Sequence, residues 1–272
     1  MSAGTAAEGD VVEIRSGCGR SRAARLVALA LAACFVGLLA TVRPTMALSL
    51  SPRCGVPDSL VVLPDQLRRT KNLLAGGKSV RVLAIGSSST RGVGASSPAR
   101  AYPARFEDAL ERRFPGVDVV VLNDGVNGEL AAETLERLKQ HVASFAPDLV
   151  VWQVGTNDAM AQVDPEAFTR TLRDGIAWVG ARGVDLILMD PQYCPRVAKE
   201  PVYSTYVELV AKVAGETGVP LMRRYAAMRY WASRSNGPQL MLASDSFHLN
   251  DRGYACIAEV LAEGLARLIA SR

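Results

Sequence analysis

Histidine is scarce in this chain, with two in 272 residues, His141 and His248. Any imidazole chemistry has two places to come from. The five cysteines show no Cys-x-x-Cys spacing, which leaves a zinc centre without its usual ligand pattern. No Gly-x-Gly-x-x-Gly occurs, so the dinucleotide fingerprint is missing. Neither charge sign dominates: 31 Lys and Arg stand against 27 Asp and Glu, a net charge of +4. The first 47 residues hold five of those arginines against Glu8, Asp10 and Glu13, which leaves the body near neutral and with no electrostatic case for nucleic acid. Internal repeats and low-complexity segments are absent too. What is there, 49% hydrophobic and 21% charged residues, suits one sizeable globular α/β domain.

The N-terminus reads as a targeting segment. Arg20, Arg22 and Arg25 precede an apolar run from Leu26 to Val42, and Thr45-Met46-Ala47 offers a small-residue exit. Basic flank, apolar stretch and small-residue exit are the parts of an export signal. The run is also at the lower edge for spanning a bilayer, so residues 1–47 are an export signal or an N-terminal membrane anchor, with the body sent outward. Leu31-Ala32-Ala33-Cys34 resembles a lipoprotein box, but apolar sequence continues past Cys34, which argues against lipidation. Cys54, Cys194 and Cys256 lie beyond the segment. An exported chain can form one disulfide. Cys54–Cys194 is the expected pair, since both sit in Pro-flanked loop sequence, with Cys256 a buried residue of the last helix; three free thiols are the alternative.

Residues 48–60 carry Pro52, Gly55 and Pro57 and read as a linker. A helix is predicted from Pro64 to Ala75, so 48–78 is linker plus N-terminal helix, and 79–272 is the main domain. There strands and helices alternate. Strands are predicted over 80–85, 117–122, 149–154, 184–189 and 219–222. Helices are predicted over 102–114, 130–145, 165–183, 203–217 and 251–270. Near-continuous apolar strands separated by helices predict a parallel five-stranded sheet covered on both faces, with its site at the carboxyl ends of the strands.

Gly86-Ser87-Ser88-Ser89-Thr90 follows the first strand. Such a turn can expose a nucleophilic Ser Oγ beside backbone N–H groups, or it can cradle a phosphate; it lacks the Gly-Lys-Ser/Thr of a P-loop. Asn123-Asp-Gly-Val-Asn-Gly128 follows the second strand and, alone, is a plain turn. Gly155-Thr156-Asn157-Asp158 follows the third, where the Asn157 amide can serve an oxyanion or cap the next segment. Near the C-terminus stands Asp245-Ser246-Phe247-His248. A carboxylate three residues before an imidazole can bond Nδ1–H and leave Nε2 free as a base. His141 falls in an amphipathic helix as a surface residue, so His248 is the imidazole base.

These four blocks, in this order over 79–270, resemble the SGNH/GDSL hydrolase family. The resemblance makes Ser88 the nucleophile, with Asp245 and His248 completing the triad. It gives the oxyanion hole to the Ser88 and Gly128 N–H groups and the Asn157 side chain. It implies a flavodoxin-like three-layer α/β/α domain and ester hydrolysis with no metal or organic cofactor. The chain departs from the family at Ser87, where an Asp is common.

Arg91, Gln153, Gln192 and Tyr193, at or after strand ends, are the expected substrate contacts. Their polarity favours an O-acyl, chiefly acetyl, group on a carbohydrate or small ester. A lysophospholipase- or thioesterase-type lipid hydrolase is the alternative, as is a non-catalytic binding protein on the same fold, although a complete set of catalytic residues argues against the latter. The partners expected are therefore a small-molecule or glycan ester, no nucleic acid, and a membrane only through an uncleaved N-terminus.

Overall fold

The computed structural model describes residues 49–234 and 240–270. The expected export or anchor segment lies outside them. Among the described residues, no helix is long and apolar enough to cross a membrane.

Five strands form one sheet: β1 (Val80–Gly86), β2 (Val119–Gly125), β3 (Leu149–Gln153), β4 (Asp185–Met189) and β5 (Leu221–Met222). Every pairing is parallel, and the order is β2-β1-β3-β4-β5, the flavodoxin-like arrangement. All five residues of β3 and the last five of β1, Val82 to Gly86, are buried, as a sheet covered on both faces requires. Helices α1 (Arg68–Ala75), α3 (Tyr102–Arg113) and α9 (Asp251–Ala270) pack together as one layer. Helices α4 (Ala131–Phe145), α6 (Pro165–Gly180) and α7 (Pro201–Thr217) form the other. Two short helices, α2 (Ser88–Arg91) and α5 (Thr156–Met160), leave the ends of β1 and β3, and α8 (Arg224–Arg234) follows β5. Because the chain leaves β1 for one side of the sheet and enters β3 on the other, the topological switch point falls at the carboxyl ends of these two strands.

Several details differ from the sequence reading. Pro64 does not open a helix: Gln66 N–H bonds back to the Pro64 carbonyl, Leu67 is non-helical, and α1 starts at Arg68. This turn lets Leu63 and Leu67 both enter the core. The second strand runs three residues further, to Gly125, because its register with β1 continues to Gly86. Helix α8 was not expected. Its buried stripe is Arg224, Ala227, Met228 and Trp231, and an arginine at its head hides the apolar pattern.

The disulfide also differs. Cys54 pairs with Cys256, across a sequence separation of 202, and Cys194 is a buried free thiol. The 48–60 stretch is no free linker but a strap along α9. The Ser51 N–H donates to Glu259 Oε2 at 3.0 Å, Arg267 pairs with Asp58 at 2.7 Å, and Val61 is buried beside Gly264. The strap carries Cys54 to the α9 side of the sheet, whereas Cys194 is fixed in the loop after β4.

Candidate active site

Three chain segments meet above β1 and β3. Ser88 is the first residue of α2, so its N–H lies in the helix turn that has no intrahelical acceptor. Its Oγ is 2.9 Å from His248 Nε2, and His248 Nδ1 is 2.5 Å from Asp245 Oδ2. The tautomer that satisfies both contacts has Nδ1–H donating to Asp245 and Nε2 accepting from Ser88. Asp245 builds its own turn as well: Oδ1 accepts the N–H groups of Phe247 (3.0 Å) and His248 (2.9 Å), an Asx turn, with Ser246 at φ 54°. Burial raises the Asp245 carboxyl, but the His248 ring and these two N–H groups outweigh it and hold it below its ordinary value. Asn250 then caps α9 by accepting the Gly253 N–H at 3.0 Å.

The loop after β2 lies alongside. Gly125 packs so closely that a Cβ there would fall 2.0 Å from the Arg91 nitrogen, so no side chain fits. Gly128 is exposed, with φ 81°, a backbone that disfavours any other residue. Asn157, in the first turn of α5, donates one amide hydrogen to the Glu129 carbonyl at 2.8 Å, which leaves its second hydrogen for another acceptor. Capping of α5 falls to its neighbour. Asp158 accepts the Gly155 N–H at 3.1 Å and the Ala131 N–H at 2.9 Å, joining the starts of α5 and α4. Burial raises the Asp158 carboxyl. Arg137 secures the loop from below, reaching Glu129 at 2.5 Å and Asp124 at 2.5 Å. His141 stands 3.5 Å from that same Asp124.

The structure thus brings Ser88, His248 and Asp245 into one hydrogen-bonded line, and ties Asn157 of α5 to the loop carrying Gly128 through the Glu129 carbonyl. The expected substrate contacts divide. Arg91 is exposed and Tyr193 is half-buried, its ring edge-on to Tyr225 at 5.4 Å. Gln153 and Gln192 are 2% and 0% exposed, which removes them from contact with substrate. Gln153 Oε1 accepts the Ser87 N–H (3.0 Å), the Ser87 hydroxyl (3.1 Å) and the Thr90 hydroxyl (3.2 Å). Gln192 Oε1 accepts the Ser89 hydroxyl at 2.6 Å. Gln153 ends β3 and Gln192 lies in the loop after β4, at and after strand ends as the sequence suggested, but their amides turn inward because the flanking serines are buried and need acceptors.

Other parts of the site carried no sequence signal. Arg137 belongs to none of the four motifs and stands between Leu135 and Leu138 of its helix. Arg196 lies over the Phe247 ring at 5.0 Å, and that ring meets the His248 imidazole edge-on at 4.9 Å. Asp190, just after β4, accepts the Tyr225 N–H at 2.8 Å, while Arg224 donates to its backbone carbonyl at 2.9 Å. Burial pushes the Asp190 carboxyl up to about 7, against the opposing pull of the Tyr225 N–H and Arg224.

Comparison with known proteins gives a consistent picture. The family model described as "Non-GDSL lipase-like family" matches residues 53–271. An arylesterase of Vibrio mimicus is 27% identical over 169 residues, covering 62% of this chain and 80% of the relative. The thioesterase 1/protease 1/lysophospholipase L1 of Escherichia coli (strain K12) is 25% identical over 188 residues, 69% of this chain and 84% of the relative. In fold, the chain is similar to a two-domain esterase active on acetylated mannans, with a TM-score of 0.64 and 18% identity. That likeness covers 78% of this chain and 56% of the larger, two-domain one.

Proposed function

Because the chain belongs to the Non-GDSL lipase-like family, within the SGNH/GDSL hydrolases, and is a hydrolase of ester bonds, we propose that it removes small O-acyl groups, acetyl foremost, from a carbohydrate or small ester outside the cytoplasm. The observation that carries the reading is the line Ser88 Oγ–His248 Nε2–Asp245 at the end of β1. His248 takes the Ser88 proton as Oγ attacks the ester carbonyl. The oxyanion is held by the Ser88 and Gly128 N–H groups and the second amide hydrogen of Asn157. His248 returns the proton to the departing alcohol, leaving the acyl group on Ser88. Water, deprotonated by His248, then attacks that acyl-enzyme, and the acid leaves as Ser88 regains its proton.

The structural neighbour active on acetylated mannans supports an acetyl group on a glycan. With Gln153 and Gln192 turned inward, Arg91 and Tyr193 are the polar side chains left from those expected to meet a sugar or alcohol moiety. The Cys54–Cys256 disulfide supports an oxidising, extracytoplasmic location, with residues 1–47 as export signal or anchor and 79–272 as the hydrolase domain. A second reading, a lipid hydrolase, draws on exposed Val126 and Met160, which lie in the loop before Gly128 and at the end of α5; a longer acyl chain would find apolar surface there.

Two experiments test this. An organophosphonate is expected to label wild-type protein at Ser88, and Ser88→Ala to lose on the order of 10^4- to 10^6-fold in kcat on p-nitrophenyl acetate while its melting curve stays put. Wild-type turnover by Ser88→Ala would overturn the assignment. A panel from acetyl to palmitoyl aryl esters, with acetylated glycans, separates the two substrate classes: preference for acetyl supports the first, for palmitoyl the second.

A further inference from the structure

Ser88 has a serine on each side, and both flanking serines are buried: Ser87 is 4% and Ser89 2% exposed. Each hydroxyl donates to a buried glutamine, but the two glutamines lead to different places. Gln153 belongs to β3, the direct neighbour of β1 in the sheet. Its bonds to Ser87 and Thr90 reinforce a connection the sheet already makes. Gln192 comes from the loop after β4. Its Oε1 accepts the Ser89 hydroxyl at 2.6 Å and its Nε2 donates to the Phe247 carbonyl at 2.9 Å. One side chain thus links the residue after Ser88 to the residue before His248.

The main chain of Gln192 is itself anchored. Tyr203 Oη donates to its carbonyl at 2.7 Å, and its N–H donates to Thr156 Oγ1 at 3.4 Å, next to Asn157. By contrast, the turn holding Asp245 and His248 is bonded mostly to itself. Among the described residues, the hydrogen bonds of 243–249 stay within 241–250 apart from two, His248 to Ser88 and Phe247 to Gln192. A strained or displaced Ser88–His248 pair would therefore have one other polar tie to restore it.

We propose that Gln192 is a positioning residue that holds the turn carrying His248 in register with the turn carrying Ser88, and so sets the nucleophile–base distance without touching substrate. This rests on the assignment of Ser88 and His248 above. The chemistry is sensitive to such a distance, since a misplacement of about 1 Å can cost about 100-fold in rate.

The test uses Gln192→Leu, Ser89→Ala and the double variant, with kcat and KM on p-nitrophenyl acetate and the rate of Ser88 phosphonylation. Both single variants are expected to lower kcat and phosphonylation in parallel, Gln192→Leu by roughly 10- to 100-fold, with KM close to wild type. The double variant should be no slower than Gln192→Leu, because Ser89 acts through the same link. Gln192→Glu keeps an acceptor for Ser89 but, once ionised, has no donor for Phe247. Its rate relative to wild type should rise as pH falls and the new acid regains its proton. A folded Gln192→Leu with wild-type kcat and labelling would overturn the proposal, as would a raised KM at unchanged kcat or losses that multiply in the double variant. If Gln192→Leu does not fold, Ser89→Ala decides: undiminished phosphonylation counts against the link. Failure of the phosphonate to label wild-type protein at Ser88 would instead remove the hydrolase assignment beneath it.

Discussion

The turn after β1 and the turn before α9 meet at the Ser88–His248 hydrogen bond, yet they are held by different means. Ser87, before α2, and Ser89 and Thr90, within it, are buried, with their hydroxyls spent on glutamines from the end of β3 and the loop after β4. The Asp245 side chain is 43% exposed, and its turn is built by its own carboxylate. The first turn takes its geometry from the sheet, and the second makes its own. A substitution in the first should spread through packing, whereas one in the second can leave the fold intact and still spoil the chemistry.

Asp245→Asn is the sharpest way to break this contrast. The Asn Oδ1 can keep the two N–H bonds of the turn, but an amide N–H in place of Oδ2 faces Nδ1 and favours the tautomer with the proton on Nε2. Loss of about 10^4-fold in kcat is expected, with little change in melting temperature. A variant that unfolds at wild-type activity per folded molecule would show that Asp245 serves the turn alone. Next in size is Asn157→Ala, on the scaffold side. As an oxyanion donor it should cost roughly 100- to 1,000-fold in kcat with KM near wild type. If it lowers the melting temperature steeply and leaves kcat alone, the bond to the Glu129 carbonyl is its whole role.

Away from the site, Cys54→Ser with Cys256→Ser should cost about 2–4 kcal/mol of stability, read by urea unfolding, and leave kcat unchanged at low temperature. Unchanged unfolding would show that the strap holds α9 by its other bonds. The smallest effect is expected at Asp190. Its carboxyl is pushed up to about 7 in the fold, so the folded state keeps a proton that the unfolded chain releases near its ordinary value. The stability this gives is complete below that ordinary value and is lost as pH rises through about 7. The slope is at most about 1.4 kcal/mol per pH unit. Melting curves of Asp190→Asn between pH 5 and 8 should be flatter than those of wild type, and parallel curves would assign the pH dependence elsewhere.

The same contrast explains what could be read from sequence. The strands of the sheet announce themselves as apolar runs; three of the short motifs fall where strands end, and the fourth in the turn before α9. Asp245 and His248 were legible because a turn that builds itself leaves its requirements in consecutive residues. Gln153 and Gln192 were found at the right strand ends but given the wrong direction. Nothing in a local pattern tells that Ser87 and Ser89 are buried and must bond inward. Helix α8 stayed hidden because its buried face begins with Arg224, whose burial depends on groups distant in sequence. The cysteine pairing failed for the same reason, since the path of the strap along α9 is set by Ser51, Asp58 and Val61 meeting residues about 200 positions away.

That strap has a consequence for how the molecule is made. Cys54 is synthesised long before its partner. At about 5–20 residues per second, the 202 residues between them take roughly 10–40 s to appear. During that interval Cys194 is made, while Cys256 does not yet exist. In the finished fold Cys194 is buried in the loop after β4, and Cys54 is bonded into the last helix. The finished bond therefore marks a chain whose final helix has docked against the strap.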